Sequence, residues 1–121
     1  MKYNIKIGED KIARVVISGD SILGSTKKFI SEAENLLANF KGERLPVVIF
    51  ILGLSFADYS SVLAYRKFLN NKKLGKMAFI IKNPQIVELV KIIIKDKYKD
   101  KVKKIDFFNT EKDAIVWIKQ K

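Results

Sequence analysis

A chain of 121 residues with 48% hydrophobic and 31% charged residues fits one globular domain, residues 1–121, whose core needs no disulfide or metal staple. It contains neither Cys nor His, which excludes thiolate and imidazole metal sites and nucleophile systems of the Ser-His-Asp or Cys-His kind. The formal net charge of +11 favours acidic partners, but a solvated Lys-rich surface accounts for it as well, because Lys greatly outnumbers Arg, the better fork for phosphates and bases.

In chain order, "KYNIKI" (residues 2–7) alternates, with Tyr3, Ile5 and Ile7 on one face, and "IARVVIS" (12–18) is a second strand. The turn residues "GEDK" between them predict an antiparallel hairpin. After "GDSILGST" comes a helix with apolar positions Phe29, Ile30, Ala33, Leu36, Leu37 and Phe40, stopped at Gly42. "PVVIFIL" (46–52) is apolar throughout, as a strand covered on both faces is. Asp58 then caps a helix running to about Lys72, with Tyr59, Val62, Leu63, Phe68 and Leu69 as packing positions.

"MAFII" (77–81) is the fourth strand, and Asn83-Pro84 opens a third helix, since Asn caps and Pro suits the first helical position. "KIDFF" (104–108) is the fifth strand. Thr110 to Asp113, "TEKD", follows a capping box with Asp in its last position and opens a short helix with Ala114, Ile115, Trp117 and Ile118. The order is ββαβαβαβα: an α/β fold with a mixed sheet, an N-terminal antiparallel hairpin and parallel strands covered by helices.

The longest apolar run, Val47 to Leu54, falls well short of the roughly 20 residues a membrane helix needs. The N-terminus "MKYNIKIGED" alternates and carries charges, so no signal core and a cytoplasmic location are expected.

Several constellations have both a structural and a functional reading. Gly19 and Gly24 have the spacing of a phosphate-binding loop, but that loop needs Lys directly after the second Gly, and Ser25 stands there. A connection capped by Ser25 or Thr26 explains these residues. Asp20 and Asp58 follow the second and third strands, and two helix caps explain them better than an acid-base pair.

The segment Asp58-Tyr59-Ser60-Ser61 is explained by a cap and a tolerant first turn. The same helix start, with free amides and a positive dipole, also stabilises a phosphate, and phosphoserine there adds roughly two negative charges. The third helix is unusually apolar, so Ile86, Val87, Val90, Ile93 and Ile94 either face a partner or second copy, making a homodimer, or wedge into the core.

Residues 95–104, "KDKYKDKVKK", are the densest basic run. Lys95, Lys97, Lys99, Lys101, Lys103 and Lys104 are candidate anion contacts, with a solvated helix end as the plainer reading. Tyr98 alone is too few aromatics for a surface that stacks nucleic-acid bases, so nucleic acid is a minor expectation. No catalytic residue, cofactor or metal is expected, because the acid-base inventory converges nowhere.

The stretch "VVIFILGLSFADYSSVLAYRKFL" resembles the STAS domains, the SpoIIAA-like antagonists of anti-sigma factors and the tails of sulfate transporters. There a buried strand runs into Asp-Ser-Ser-Gly-Leu at a helix start, and the second Ser is phosphorylated. The match puts Asp58 on the Asp, Tyr59 on the first Ser, Ser60 on the phosphorylatable Ser and Ser61 on the Gly. The tail "FFNTEKDAIVWIKQK" is similar to the end of the STAS/SEC14 branch, with Ala114 and Trp117 on its Ala-x-x-Trp pattern. The resemblance implies a non-enzymatic regulatory module that binds a protein of the kinase or anti-sigma-factor type, switched by phosphate on Ser60. Its SEC14 side implies binding of a lipid or other small apolar ligand.

Overall fold

A computed structural model describes residues 1–94 and 105–120. Lys2–Ile7 (β1) and Ala13–Ser18 (β2) pair antiparallel. The chain then alternates through Leu23–Asn39 (α1), Leu45–Gly53 (β3), Tyr59–Phe68 (α2), Leu74–Ile80 (β4), Pro84–Ile94 (α3), Ile105–Phe108 (β5) and Glu111–Lys119 (α4). The sheet order is β1-β2-β3-β4-β5, and every pair after the first is parallel. The order and the mixed sheet are those the sequence predicts.

Each crossover advances by one strand in the same direction, and right-handed crossovers then place α1, α2 and α3 on one face. Val15, Ile17, Val47, Ile49, Met77 and Phe79 pack there against Phe29 and Leu37 of α1, Leu69 beyond α2, and Ile86 and Val90 of α3. On the other face Val48, Ala78 and Ile80 meet Ile12 and Ala114 and Ile118 of α4. Since α4 lies over β3, β4 and β5, the inner strands β3 and β4 bury residues on both faces, whereas β2 buries only alternate residues. This is why the middle strands read as unbroken apolar runs and β2 does not.

Three expectations change, and one open alternative is decided. β4 begins at Leu74 rather than Met77, because Leu74 pairs with Leu45 and is buried. Gly75 permits that approach: a Cβ there would meet the Leu45 carbonyl carbon and the Pro46 nitrogen at 3.2 Å. α1 begins at Leu23, so Ser25 and Thr26 lie inside it rather than capping it. Ser25 Oγ donates to the Ile22 carbonyl at 3.0 Å, and Thr26 is fully buried.

On α2 the inward positions are Ser61, Ala64, Tyr65 and Phe68, whereas Tyr59 and Leu63, expected to pack, are exposed. On α3, Ile86, Val90, Ile93 and Ile94 are buried and Val87 packs against the core, so of the two readings the sequence leaves open this helix takes the wedged one. Ile92 is the exposed apolar residue of that helix. The lysines at 95, 97, 99, 101, 103 and 104 lie outside the described residues. Among the described residues no helix is long and apolar enough to cross a membrane.

Candidate functional site

The parallel strands β2 and β3 end side by side, and the loops that follow them remain joined. Gly19, with φ +93°, turns the chain out of β2 in a conformation that favours glycine. Its amide donates to the Gly53 carbonyl at 2.8 Å. Farther out, the Ser21 amide donates to the Phe56 carbonyl at 2.9 Å and the Asp58 amide to the Ser21 carbonyl at 3.0 Å. The sheet's pairing thus continues, by way of Ser21 and Ala57, to the threshold of α2.

Two carboxylates lock this junction. Asp20 Oδ1 accepts from the Ser55 amide at 2.9 Å, the Ser55 hydroxyl at 2.8 Å and the Phe56 amide at 3.0 Å. The Ser55 amide and hydroxyl, then the Phe56 amide and the nearby terminal amine, hold the Asp20 carboxyl below the usual carboxylate range. Asp58 Oδ1 accepts from the Ser61 amide at 2.7 Å, and its Oδ2 accepts from the Leu23 amide at 3.1 Å. One side chain therefore caps α2 and also satisfies the first amide of α1, which has no cap of its own. The Ser61 side chain and amide, then the Leu23 amide, hold Asp58 below its ordinary range.

The expected pair of caps is thus only half observed. Asp58 serves both helices, and Asp20 serves neither, tying the following loop instead. With their oxygens accepting from amides and hydroxyls, both stay ionised and act as structural clamps. Among the described residues, no group of three or more His, Cys, Asp or Glu converges as metal ligands.

Large apolar residues along these connections and at the start of α2 are exposed. Ile22 is 59% exposed, Leu52 70%, Phe56 54%, Tyr59 72% and Leu63 45%. Ser60 is exposed in the first turn of α2, while Ser61 is fully buried beneath it. The structure therefore separates the four residues of the segment: Asp58 clamps, Ser61 packs, and Tyr59 and Ser60 face outward. Sequence reasoning missed Ile22 and Phe56, large apolar residues in loops where no helical or strand periodicity assigns them to a core, and it took Leu52 as the end of a strand covered on both faces, whereas Leu52 is exposed.

At the far end of α2, the Arg66 guanidinium donates to the Ile93 carbonyl at 3.0 Å and the Ile92 carbonyl at 2.9 Å. These carbonyls lie in the last described turn of α3. Both ends of α2 are therefore tied to neighbours, and its outward face is presented on a fixed frame.

No protein-family model matches this chain, and no curated protein is similar to it. Among solved structures, it is similar to an uncharacterised protein of the DUF3478 family from Shewanella loihica PV-4, described as having a SpoIIAA-like fold. The TM-score is 0.72 over 97% of this chain and 92% of that one, at 16% identity. The fold of this chain is SpoIIAA-like.

Proposed function

We propose that this SpoIIAA-like chain is a non-enzymatic, STAS-like interaction module that docks a regulatory protein on the outward face at the start of α2. The observation that carries the reading is the exposure of Ile22, Leu52, Phe56, Tyr59 and Leu63, on the strand end and loops that lead to α2 and on its first turns, about a helix start that Asp58 and Asp20 hold rigid. Exposed large apolar residues on a pre-organised frame are what interface hot spots require, because little freedom is lost on docking. Tyr59, the most exposed of the five, combines a wide apolar ring with one polar tip.

Ser60, exposed beside Tyr59 in the first turn of α2, is open to a kinase. A phosphate there would bring roughly two negative charges beside the ionised Asp58 and compete with it for the amides of the first turn. Because Asp58 also holds the start of α1, repulsion would loosen both helix starts together. Phosphorylation of Ser60 then weakens docking by adding charge to an apolar face and by relaxing its frame.

The test is affinity capture from the host with the wild-type chain and with Tyr59→Ala/Leu63→Ala, Ser60→Ala and Ser60→Asp. One protein should be retained by wild type and Ser60→Ala, weakened roughly ten-fold by Ser60→Asp, and lost by the double variant. Equal capture by wild type and the double variant sinks the docking face. Equal capture by the two Ser60 variants, with no phosphate on Ser60 by intact mass, removes the switch alone.

A further inference from the structure

Between the sheet and α1–α3 lies an apolar void of about 110 Å³, walled by side chains such as Ile49, Phe29, Leu37, Phe79, Val90 and Ile93. Close-packed cores rarely keep a space of this size. An apolar cavity of about 150 Å³ stays dry and takes up benzene, so a void of this kind is a site for a single small ring. A lipid tail is several times too large for it, which narrows the ligand class that the sequence suggested.

Two hydroxyl side chains border the otherwise apolar void. Ser21, 2% exposed, and Tyr65 both line it, and their hydroxyl oxygens are 2.9 Å apart. The sulfur of Met1 lies 3.6 Å from Ser21 Oγ and 3.5 Å from Tyr65 Oη. One hydroxyl proton is shared between the pair and the other points at a sulfur, which is a weak acceptor. The pair therefore has lone pairs to spare at the wall of an otherwise apolar chamber, an arrangement that suits an incoming O–H or N–H.

We propose that this void is a binding site for a small aromatic molecule carrying one hydrogen-bond donor, its ring against the apolar walls and its donor on the Ser21–Tyr65 pair. The site is distinct from the docking face: α2 turns Tyr65 and Phe68 toward the void and Tyr59 and Leu63 toward solvent.

The probes are phenol and benzene, titrated into the full chain while the methyl carbon-proton spectrum is followed. Saturable shifts are expected at Ile49, Leu37 and Val90, with phenol tighter than benzene. Tyr65→Phe should weaken phenol about five-fold, the worth of one ordinary hydrogen bond, and leave benzene unchanged. Filling the void with Val90→Phe, or from α1 with Ala33→Leu, should abolish both in whichever variant keeps the native spectrum. The proposal is overturned by non-saturating shifts up to the solubility limit, by shifts that persist in a filled variant, or by phenol binding indifferent to Tyr65→Phe. The titration needs no protein partner, so it stands or falls separately from the docking face.

Discussion

Asp58 does more than its sequence context announces. A cap on the helix that follows is a local pattern, and the 2.7 Å bond to the Ser61 amide fulfils it. The bond to Leu23, 35 residues away, is not local, and nothing in "SILGST" signals that its helix borrows a cap from another loop. Asp58→Ala should therefore lower the thermal midpoint by roughly 5 °C and speed amide exchange at the starts of both α1 and α2. Faster exchange at α2 alone would contradict the shared cap. Thr26 makes the opposite case: it is fully buried, and its hydroxyl has no hydrogen-bond partner among the described residues. Thr26→Val keeps the shape and removes an unsatisfied polar group, so it should raise stability by about 1 kcal/mol in a denaturant melt. A loss of stability would mean that the hydroxyl has a partner, such as a water.

For whole elements, what was legible depended on how local the cause is. The hairpin, the continuous apolar run of β3 and the Thr110 cap, which accepts from the Asp113 amide at 3.2 Å, all follow from near-neighbour chemistry. The inward face of α2 did not, because that helix has apolar residues on two sides and packing alone selects Ala64, Tyr65 and Phe68 over Tyr59 and Leu63. The face that packing rejects is the one proposed to dock. The start of β4 was hidden for a similar reason: "NNKKLGK" has turn composition, yet Leu74 and Gly75 are drawn into the sheet by Leu45. Gly75→Ala pushes a Cβ against backbone atoms 3.2 Å away and should cost about 1–3 kcal/mol in the same melt. A neutral result would show that the Leu45–Pro46 backbone yields easily.

At the scale of the molecule, the charge balance predicts how stability depends on acid. Asp10 is held at about 2, chiefly by hydrogen bonds from Arg14, whose guanidinium also reaches Glu111 at 2.8 Å and so joins the hairpin loop to α4. Asp20 and Asp58 are held low by amides and hydroxyls. A carboxylate whose folded value is depressed contributes stability above its unfolded value near 4, and loses it as pH falls toward the folded value. Thermal midpoints should therefore be flat from neutral pH to about 4.5 and fall steeply between about 4 and 2, while the net charge of +11 grows and adds repulsion. Arg14→Gln should make that fall shallower; an identical acid limb would remove Asp10 from the account.

The central claim is that the exposed apolar residues at the start of α2 form a docking face, and site-specific photocrosslinking in the host tests it most directly. A photoreactive phenylalanine analogue replaces Tyr59, Leu63 or, as a control on α4, the exposed Val116. The account predicts one discrete protein adduct shared by positions 59 and 63 and absent at 116. Adducts at all three positions alike, or at none, would contradict a docking face there.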